Sequence, residues 1–80
     1  MKNKITVDIF WEQYPLVTDS DIEHVKKLAE MVDFNMRDVA NKTRSFSGNK
    51  ISVLAALQIA DEYYRLKNDY DELLNLIKSK

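Results

Sequence analysis

The stretch from Lys50 to Lys78 most constrains what this chain can fold into. Its apolar residues recur at alternating steps of three and four: Ala56, Ile59, Tyr63, Leu66, Tyr70, Leu73 and Ile77. This is the a/d pattern of a heptad repeat, and neither glycine nor proline interrupts it. The pattern predicts a continuous helix roughly 40 Å long, at about 1.5 Å per residue. A chain of 80 residues is too short to cover this heptad stripe, so we expect it to pack against another copy of itself.

The residues before the first helix predict a β-hairpin. Apolar and polar residues alternate from Lys4 to Phe10, as in a strand with one buried face. The segment from Trp11 to Gln13 is the expected connection, and 14–17 is a second, short strand. Pro15 cannot donate a ladder hydrogen bond, so we expect this strand to have an open side or to lie at the sheet edge.

A first helix is predicted from Asp21 to Lys42. Ser20 and Glu23 have the spacing of a capping box, which satisfies free N–H groups at a helix start. The apolar face of this helix comprises Ile22, Val25, Leu28, Ala29, Val32, Met36 and Val39. A loop from Thr43 to Asn49 follows, and its Gly48 is suited to a turn with positive φ.

Together these elements predict an α+β fold and an oligomer. Residues 51–60 are apolar nearly all round, which indicates burial on several sides. Residues 61–80 keep only the heptad stripe, with charged residues outside it. We therefore expect a head formed by 1–60, with the β-hairpin packed on a helix, and a projecting coiled-coil segment formed by 61–80.

Composition narrows the classes of function. Lysine and arginine total 12 against 13 acidic residues, and the net charge of −1 argues against bulk nucleic-acid binding. The longest apolar run, 53–57, is far too short to span a bilayer, and no signal peptide is evident. Cysteine is absent, which is compatible with a reducing compartment. These features favour a cytoplasmic protein with neither a nucleic-acid nor a membrane partner.

Residues for catalysis are scarce. His24 is the single histidine, and without cysteine it offers no metal-ligand spacing. Gly48 is the single glycine, whereas a nucleotide-binding loop needs several. We expect no catalytic site, no metal and no cofactor, and therefore no enzyme activity.

Two groups of residues are candidates for binding a partner. Arg37, Lys42 and Arg44 lie near the end of the first helix, where cations also favour the negative helix terminus. If they form a docking surface, its partner is acidic. Trp11 at the hairpin connection is either a core residue or an exposed anchor, since tryptophan is enriched in binding hot spots.

A strand followed by two helices also fits a ribbon-helix-helix DNA-binding regulator. In that fold a strand from each subunit reads the major groove, and the reading residues here would be Lys2, Lys4 and Thr6. The second strand with Pro15, the negative charge and the length of the last helix argue against it. A coiled-coil scaffold for some other partner is a further alternative.

Three segments of the chain resemble the ZapA family of bacterial cell-division proteins, in its short form. The segments are ITVDIFWEQYPLV, VKKLAEMVDFNMRDV and KISVLAALQIADEYYRLK, of which the last is the most characteristic. The resemblance implies a head of hairpin and helix, a long coiled-coil helix, dimers, and pairs of dimers joined antiparallel. It also implies binding of the head to the tubulin-like protein FtsZ, whose filaments would be crosslinked into bundles at the Z-ring at mid-cell, without enzyme activity or cofactor.

The resemblance also implies functional positions. Lys42 and Arg44 match basic FtsZ-binding positions at the end of the first helix, and Arg37 is added for its spacing. Trp11 and Glu12 stand where longer relatives commonly have a Gly-Arg turn, so an apolar contact by Trp11 would replace an electrostatic one. The residues that match the coiled-coil seam by heptad position are Leu66, Tyr70, Leu73 and Ile77, preceded on the same stripe by Ala56, Ile59 and Tyr63.

Overall fold

The computed structural model describes residues 2–43 and 47–78 as a β-hairpin followed by two helices. The antiparallel strands are β1 (Asn3–Ile9) and β2 (Glu12–Thr18). The helices are α1 (Ile22–Lys42) and α2 (Gly48–Lys78). The α+β class, the hairpin and the uninterrupted long helix are confirmed.

The hairpin is tighter than its sequence predicts. Ile9 pairs with Glu12, so the connection is only the two residues Phe10 and Trp11 rather than the segment 11–13. Their φ angles are 49° and 71°, and positive φ at both central residues is the geometry of a type I′ turn. That turn normally carries Asn-Gly or Asp-Gly, so the sequence gives no local signal for it. Contacts between the turn and α1 hold it instead.

The pairing of β1 removes the structural basis of the ribbon-helix-helix alternative. β1 pairs along its length with β2 of the same chain, and Lys4 and Thr6 lie opposite Val17 and Pro15. In a ribbon-helix-helix protein a single strand from each subunit pairs with its counterpart. Within residues 2–43 and 47–78 the sheet has two strands, so β2 is an edge strand, as Pro15 predicts.

Two predicted details of the helix starts are wrong. The N-cap of α1 is Asp21, without a side-chain capping bond, so Ser20 and Glu23 form no capping box. The Ser20 N–H instead donates to Thr18 Oγ1 at 3.0 Å, because the chain turns sharply from β2 into α1. Gly48 is the first residue of α2 and has no positive φ, so it belongs to the helix and not to a left-handed turn.

The hydrophobic core is thin. Met36 and Val39 of α1 pack with Ile51 and Ala55 of α2, and Ile9 and Phe10 of the hairpin close one end of this cluster (partly buried neighbours: Val32, Ala40 and Leu54). The molecule measures 51 × 41 × 14 Å, so its elements form essentially one layer. Domains are ordinarily stable with two or more packed layers. A single layer therefore leaves a large apolar surface for another copy to cover.

A polar contact fixes the position of α1 on α2 beside this core. Asn35 is buried, and its Nδ2 donates to the Met31 carbonyl at 2.8 Å while its Oδ1 accepts from Gln58 Nε2. A buried amide without partners is costly, so sliding or rotating α2 against α1 would lose this bond as well as apolar contact. The pair thus sets the angle at which the head meets the long helix.

Ile51→Ala is expected to lower the free energy of unfolding by about 2–5 kcal/mol, because it leaves a cavity in the core cluster. Ile51→Val, which removes one methylene, should cost about 0.5–1.5 kcal/mol. Both are measured by urea denaturation at a single protein concentration, since oligomer formation adds to apparent stability. Equal effects of the two variants would show that Ile51 does not pack as the structure places it.

Candidate functional site

The long helix has two apolar faces, and one of them is uncovered. Ile51, Ala55 and Gln58 face α1. The heptad stripe lies beside this face: Ile59 is half-buried and Ala56 is exposed. Farther along, five stripe residues are between 54% and 69% exposed: Tyr63, Leu66, Tyr70, Leu73 and Ile77.

The uncovered surface continues from α2 onto the head. Leu28, Met31 and Phe34 of α1 are exposed, although the side of a helix that faces solvent is normally polar. Met31, Phe34 and Glu62 help to line a groove of 590 Å³ between the two helices. Exposed apolar side chains grouped in this way are typical of protein–protein contact surfaces.

The tip of the hairpin is docked onto α1. The backbone N–H of Phe10 donates to Asp33 Oδ1 at 2.7 Å, and the Phe10 side chain packs against the core cluster. A bulky residue at positive φ costs roughly 1–2 kcal/mol of backbone strain. The charge-assisted hydrogen bond and the burial of the phenyl ring offset that cost.

Trp11 and Arg37, two predicted binding residues, are in contact at this tip. The Arg37 guanidinium lies 4.1 Å from the centroid of the Trp11 ring. Its Nε donates to Asp33 Oδ2 at 2.8 Å, so a single carboxylate holds both the turn and the arginine. Trp11 is nevertheless 77% exposed, which makes it the most exposed large apolar side chain of the part of the chain described.

Glu12, the other hairpin candidate, is the first residue of β2. Its Oε2 accepts a hydrogen bond from the Tyr14 hydroxyl at 3.2 Å. This bond to the carboxylate raises the pKa of Tyr14 above its ordinary value. Glu12 follows Trp11 directly in the sequence, so an acidic side chain lies next to the indole on the exposed tip.

The predicted basic group is not one patch. Lys42 pairs with Asp38 at 3.1 Å, as Arg37 pairs with Asp33. The two cations are five residues apart, which places them about 140° apart around the helix. Arg44 lies outside the described residues. The structure thus joins Arg37 to Trp11 and leaves Lys42 on a different face.

Asp33 is the site residue that the sequence analysis missed. Its spacing of four from Arg37 is an ion-pair signal visible in the sequence. Its hydrogen bond to Phe10 spans 23 positions and has no sequence signature.

Residues 2–43 and 47–78 contain neither a candidate membrane span nor a candidate metal site. No helix in those ranges is long and apolar enough to cross a membrane. In the same ranges, no group of three or more histidine, cysteine, aspartate or glutamate side chains is arranged to hold a metal ion.

Comparison with known proteins gives a consistent result. The family model described as cell division protein ZapA matches residues 5–80. A cell division protein ZapA from Geobacillus sp. (strain WCH70) is 37% identical over 73 residues, covering 91% of this chain and 84% of the relative. A ZapA from Bacillus licheniformis is 35% identical over 79 residues, covering 99% of this chain and 93% of the relative.

The fold is similar to a solved structure as well. The ZapA mutant dimer from Geobacillus stearothermophilus superimposes with a TM-score of 0.74 at 32% identity. The match covers 98% of this chain and 91% of that one, so it includes both the head and the long helix.

Proposed function

Because this chain belongs to the ZapA family of cell division proteins, we propose that it binds FtsZ and crosslinks FtsZ filaments at the division septum. It acts as a bridge and not as an enzyme. Residues 1–60 are the binding head, and residues 61–80 are the projecting part of a coiled-coil spacer. The protein works in the cytoplasm, at mid-cell, without a cofactor and without contact to nucleic acid or membrane.

The uncovered heptad stripe is the observation that carries this proposal. The stripe residues from Tyr63 to Ile77 are exposed, whereas the α2 residues that pack or bond against α1 lie in the first half of the helix, from Ile51 to Gln58. Tyrosine at two a positions does not suit a tight parallel dimer, where β-branched residues are favoured. A seam shared by more than two helices accommodates the larger side chains, which agrees with a dimer of dimers.

Bridging follows from having several heads on one rigid body. The solved relative is named as a dimer, and self-association of this chain would join at least two heads. When one head binds a filament, the next binds at high effective concentration, so weak single contacts give avid crosslinks. Assembly through the stripe is therefore required for bundling, although the stripe touches no FtsZ.

The FtsZ-binding surface is proposed on the head. Its candidates are Trp11, Glu12 and Arg37 at the hairpin tip and Lys42 and Arg44 at the end of α1. Arg37 and Lys42 are each ion-paired within α1, which lowers the charge they offer to a partner. Arg44, the third member of the basic group, lies outside the described residues, and the electrostatic test is made there.

Two measurements on the wild-type chain test the function. Sedimentation of FtsZ polymers at low speed should show bundles only when the chain is present. Analytical ultracentrifugation across a concentration series should show a dimer that passes to a tetramer. A monomer at all concentrations, or FtsZ that sediments identically without the chain, would contradict the bridging function.

Arg44→Glu is expected to weaken FtsZ binding severalfold, since a reversed charge at a docking surface opposes an acidic partner. The oligomer mass should not change. Lys26→Glu, which reverses a charge in the first half of α1, is the matched control. Equal affinities of the wild type, Arg44→Glu and Lys26→Glu in co-sedimentation would show that Arg44 does not bind FtsZ. Its role would then be only to place a cation near the negative C-terminal end of α1.

A further inference from the structure

The hairpin turn cannot hold its shape by local preference alone. Phe10 and Trp11 both have positive φ, the region that glycine, asparagine and aspartate favour. Two bulky residues there would leave a free hairpin tip populating several conformations. The observed conformation therefore depends on contacts made with other parts of the molecule.

Asp33 supplies those contacts from the middle of α1. Its Oδ1 accepts the Phe10 N–H at 2.7 Å, and its Oδ2 accepts Arg37 Nε at 2.8 Å. Arg37 in turn lies under the Trp11 ring, 4.1 Å from its centroid. One carboxylate thus orients the turn backbone on one side and, through Arg37, the indole ring on the other.

The result is a large apolar side chain held in place and left in solvent. Burying a tryptophan contributes strongly to the free energy of binding. Because Trp11 is 77% exposed, most of that contribution is still available to a contact with a partner. A side chain that is already ordered loses little conformational entropy when it binds. The arrangement fits a binding anchor better than it fits a structural turn, which would bury its aromatic residue.

We propose that Asp33 is a positioning residue that docks the hairpin tip and presents Trp11 to an apolar pocket on the partner. This inference rests on the proposed FtsZ-binding function, and it adds the chemistry of the contact. Arg37 acts here as the platform under the indole and not as a free cation, because Asp33 already pairs with it. The tip contact therefore depends on shape and apolar burial more than on salt concentration.

The chain offers a closely matched pair of variants. Asp33→Ala removes an aspartate that pairs with Arg37, four residues later, and accepts a hydrogen bond from the Phe10 N–H in the turn. Asp38→Ala removes an aspartate from the neighbouring i,i+4 pair with Lys42, and within residues 2–43 and 47–78 no hydrogen bond or ion pair joins Asp38 to the hairpin. Both variants change the net charge equally and delete one ion pair of α1. Only Asp33→Ala should affect the tip.

Two readouts report the tip directly. Trp11 is the single tryptophan, so steady-state fluorescence anisotropy of the protein measures the order of its indole. Hydrogen exchange of the Phe10 amide, followed by NMR, measures the bond to Asp33. In the assembled wild-type oligomer we expect a slowly exchanging amide and high anisotropy; in Asp33→Ala, fast exchange and lower anisotropy; and in Asp38→Ala, wild-type values.

FtsZ binding completes the test. Asp33→Ala should weaken co-sedimentation with FtsZ severalfold, up to about tenfold, since an ordered anchor becomes a mobile one, with unchanged oligomer mass. Asp33→Asn keeps an acceptor for the Phe10 N–H and should bind more tightly than Asp33→Ala; it also serves if Asp33→Ala does not fold. An Asp33→Ala protein with a loosened tip and wild-type affinity would overturn the inference, as would a tip that stays ordered.

The outcomes separate this inference from the function on which it rests. If the wild type does not bind FtsZ, the proposed function fails, whatever the tip variants do. If the wild type binds and Trp11→Ala binds equally well, only the anchor fails. If Trp11→Ala changes the oligomer mass, the indole is covered by a second copy of the chain, and the anchor to FtsZ is again overturned.

Discussion

Leu73→Glu is expected to abolish the bundling of FtsZ while the head remains folded. Leu73 occupies a d position of the heptad stripe and is more than half exposed in the single chain. Assembly through the stripe would bury a carboxylate from every copy, and an unpaired buried charge costs about 3–5 kcal/mol. Because each copy contributes the same cost, the loss multiplies across a dimer or tetramer.

The measurement compares low-speed pelleting of FtsZ with the sedimentation mass of the variant alone. Asn75→Glu is the matched control, since it adds the same charge two residues away at an exposed position off the stripe. It should bundle FtsZ as the wild type does. Circular dichroism checks that the overall helix content is retained, and the fluorescence of Trp11, the single tryptophan, checks that the head remains folded. Bundling by Leu73→Glu at wild-type levels would exclude the stripe as the bridging interface.

The elements that the sequence predicts correctly are those with a long repeating pattern. The heptad stripe fixes α2 as one uninterrupted helix because its period matches the helix over its whole length. The apolar spacing of α1 likewise gives its end at Lys42 and its start within one residue. Periodicity averages over many side chains, so a single unusual contact does not disturb it.

The features that the sequence does not predict each depend on a partner distant in sequence or on local competition. The turn at Phe10 and Trp11 takes its shape from Asp33, 23 positions from Phe10. Ser20 has a capping spacing, but its backbone bonds to Thr18 and the cap falls on Asp21. The separation of Arg37 from Lys42 is different in kind, because it follows from their spacing of five residues on a helix and could have been predicted from the sequence.

The contact between α1 and α2 links the head to the spacer mechanically. Asn35 and Gln58 hold the helices in one alignment, and the core cluster around Ile51 packs beside them. If the head keeps a fixed angle to α2, the length of the helix determines where the binding surface lies. The separation of crosslinked filaments should therefore follow the length of the coiled coil.

Lengthening α2 by one heptad is expected to keep bundling and widen the filament spacing. A second copy of residues 63–69 inserted after Asp69 places Tyr70 again at an a position, so the stripe stays continuous. Seven residues add about 10 Å of helix. If dimers join antiparallel along the stripe, electron microscopy of FtsZ bundles should show the filament separation increase by about that distance.

An insertion of two alanines at the same point is the control, because it changes the length little and the phase greatly. It rotates the distal residues Tyr70, Leu73 and Ile77 by about 200° relative to Leu66, which breaks the stripe in two. Bundling and tetramer mass should both be lost, as with Leu73→Glu. Equal spacing in bundles made by the wild type and the heptad insertion would mean that the long helix does not set the distance between filaments, and the spacer function of α2 would then be wrong.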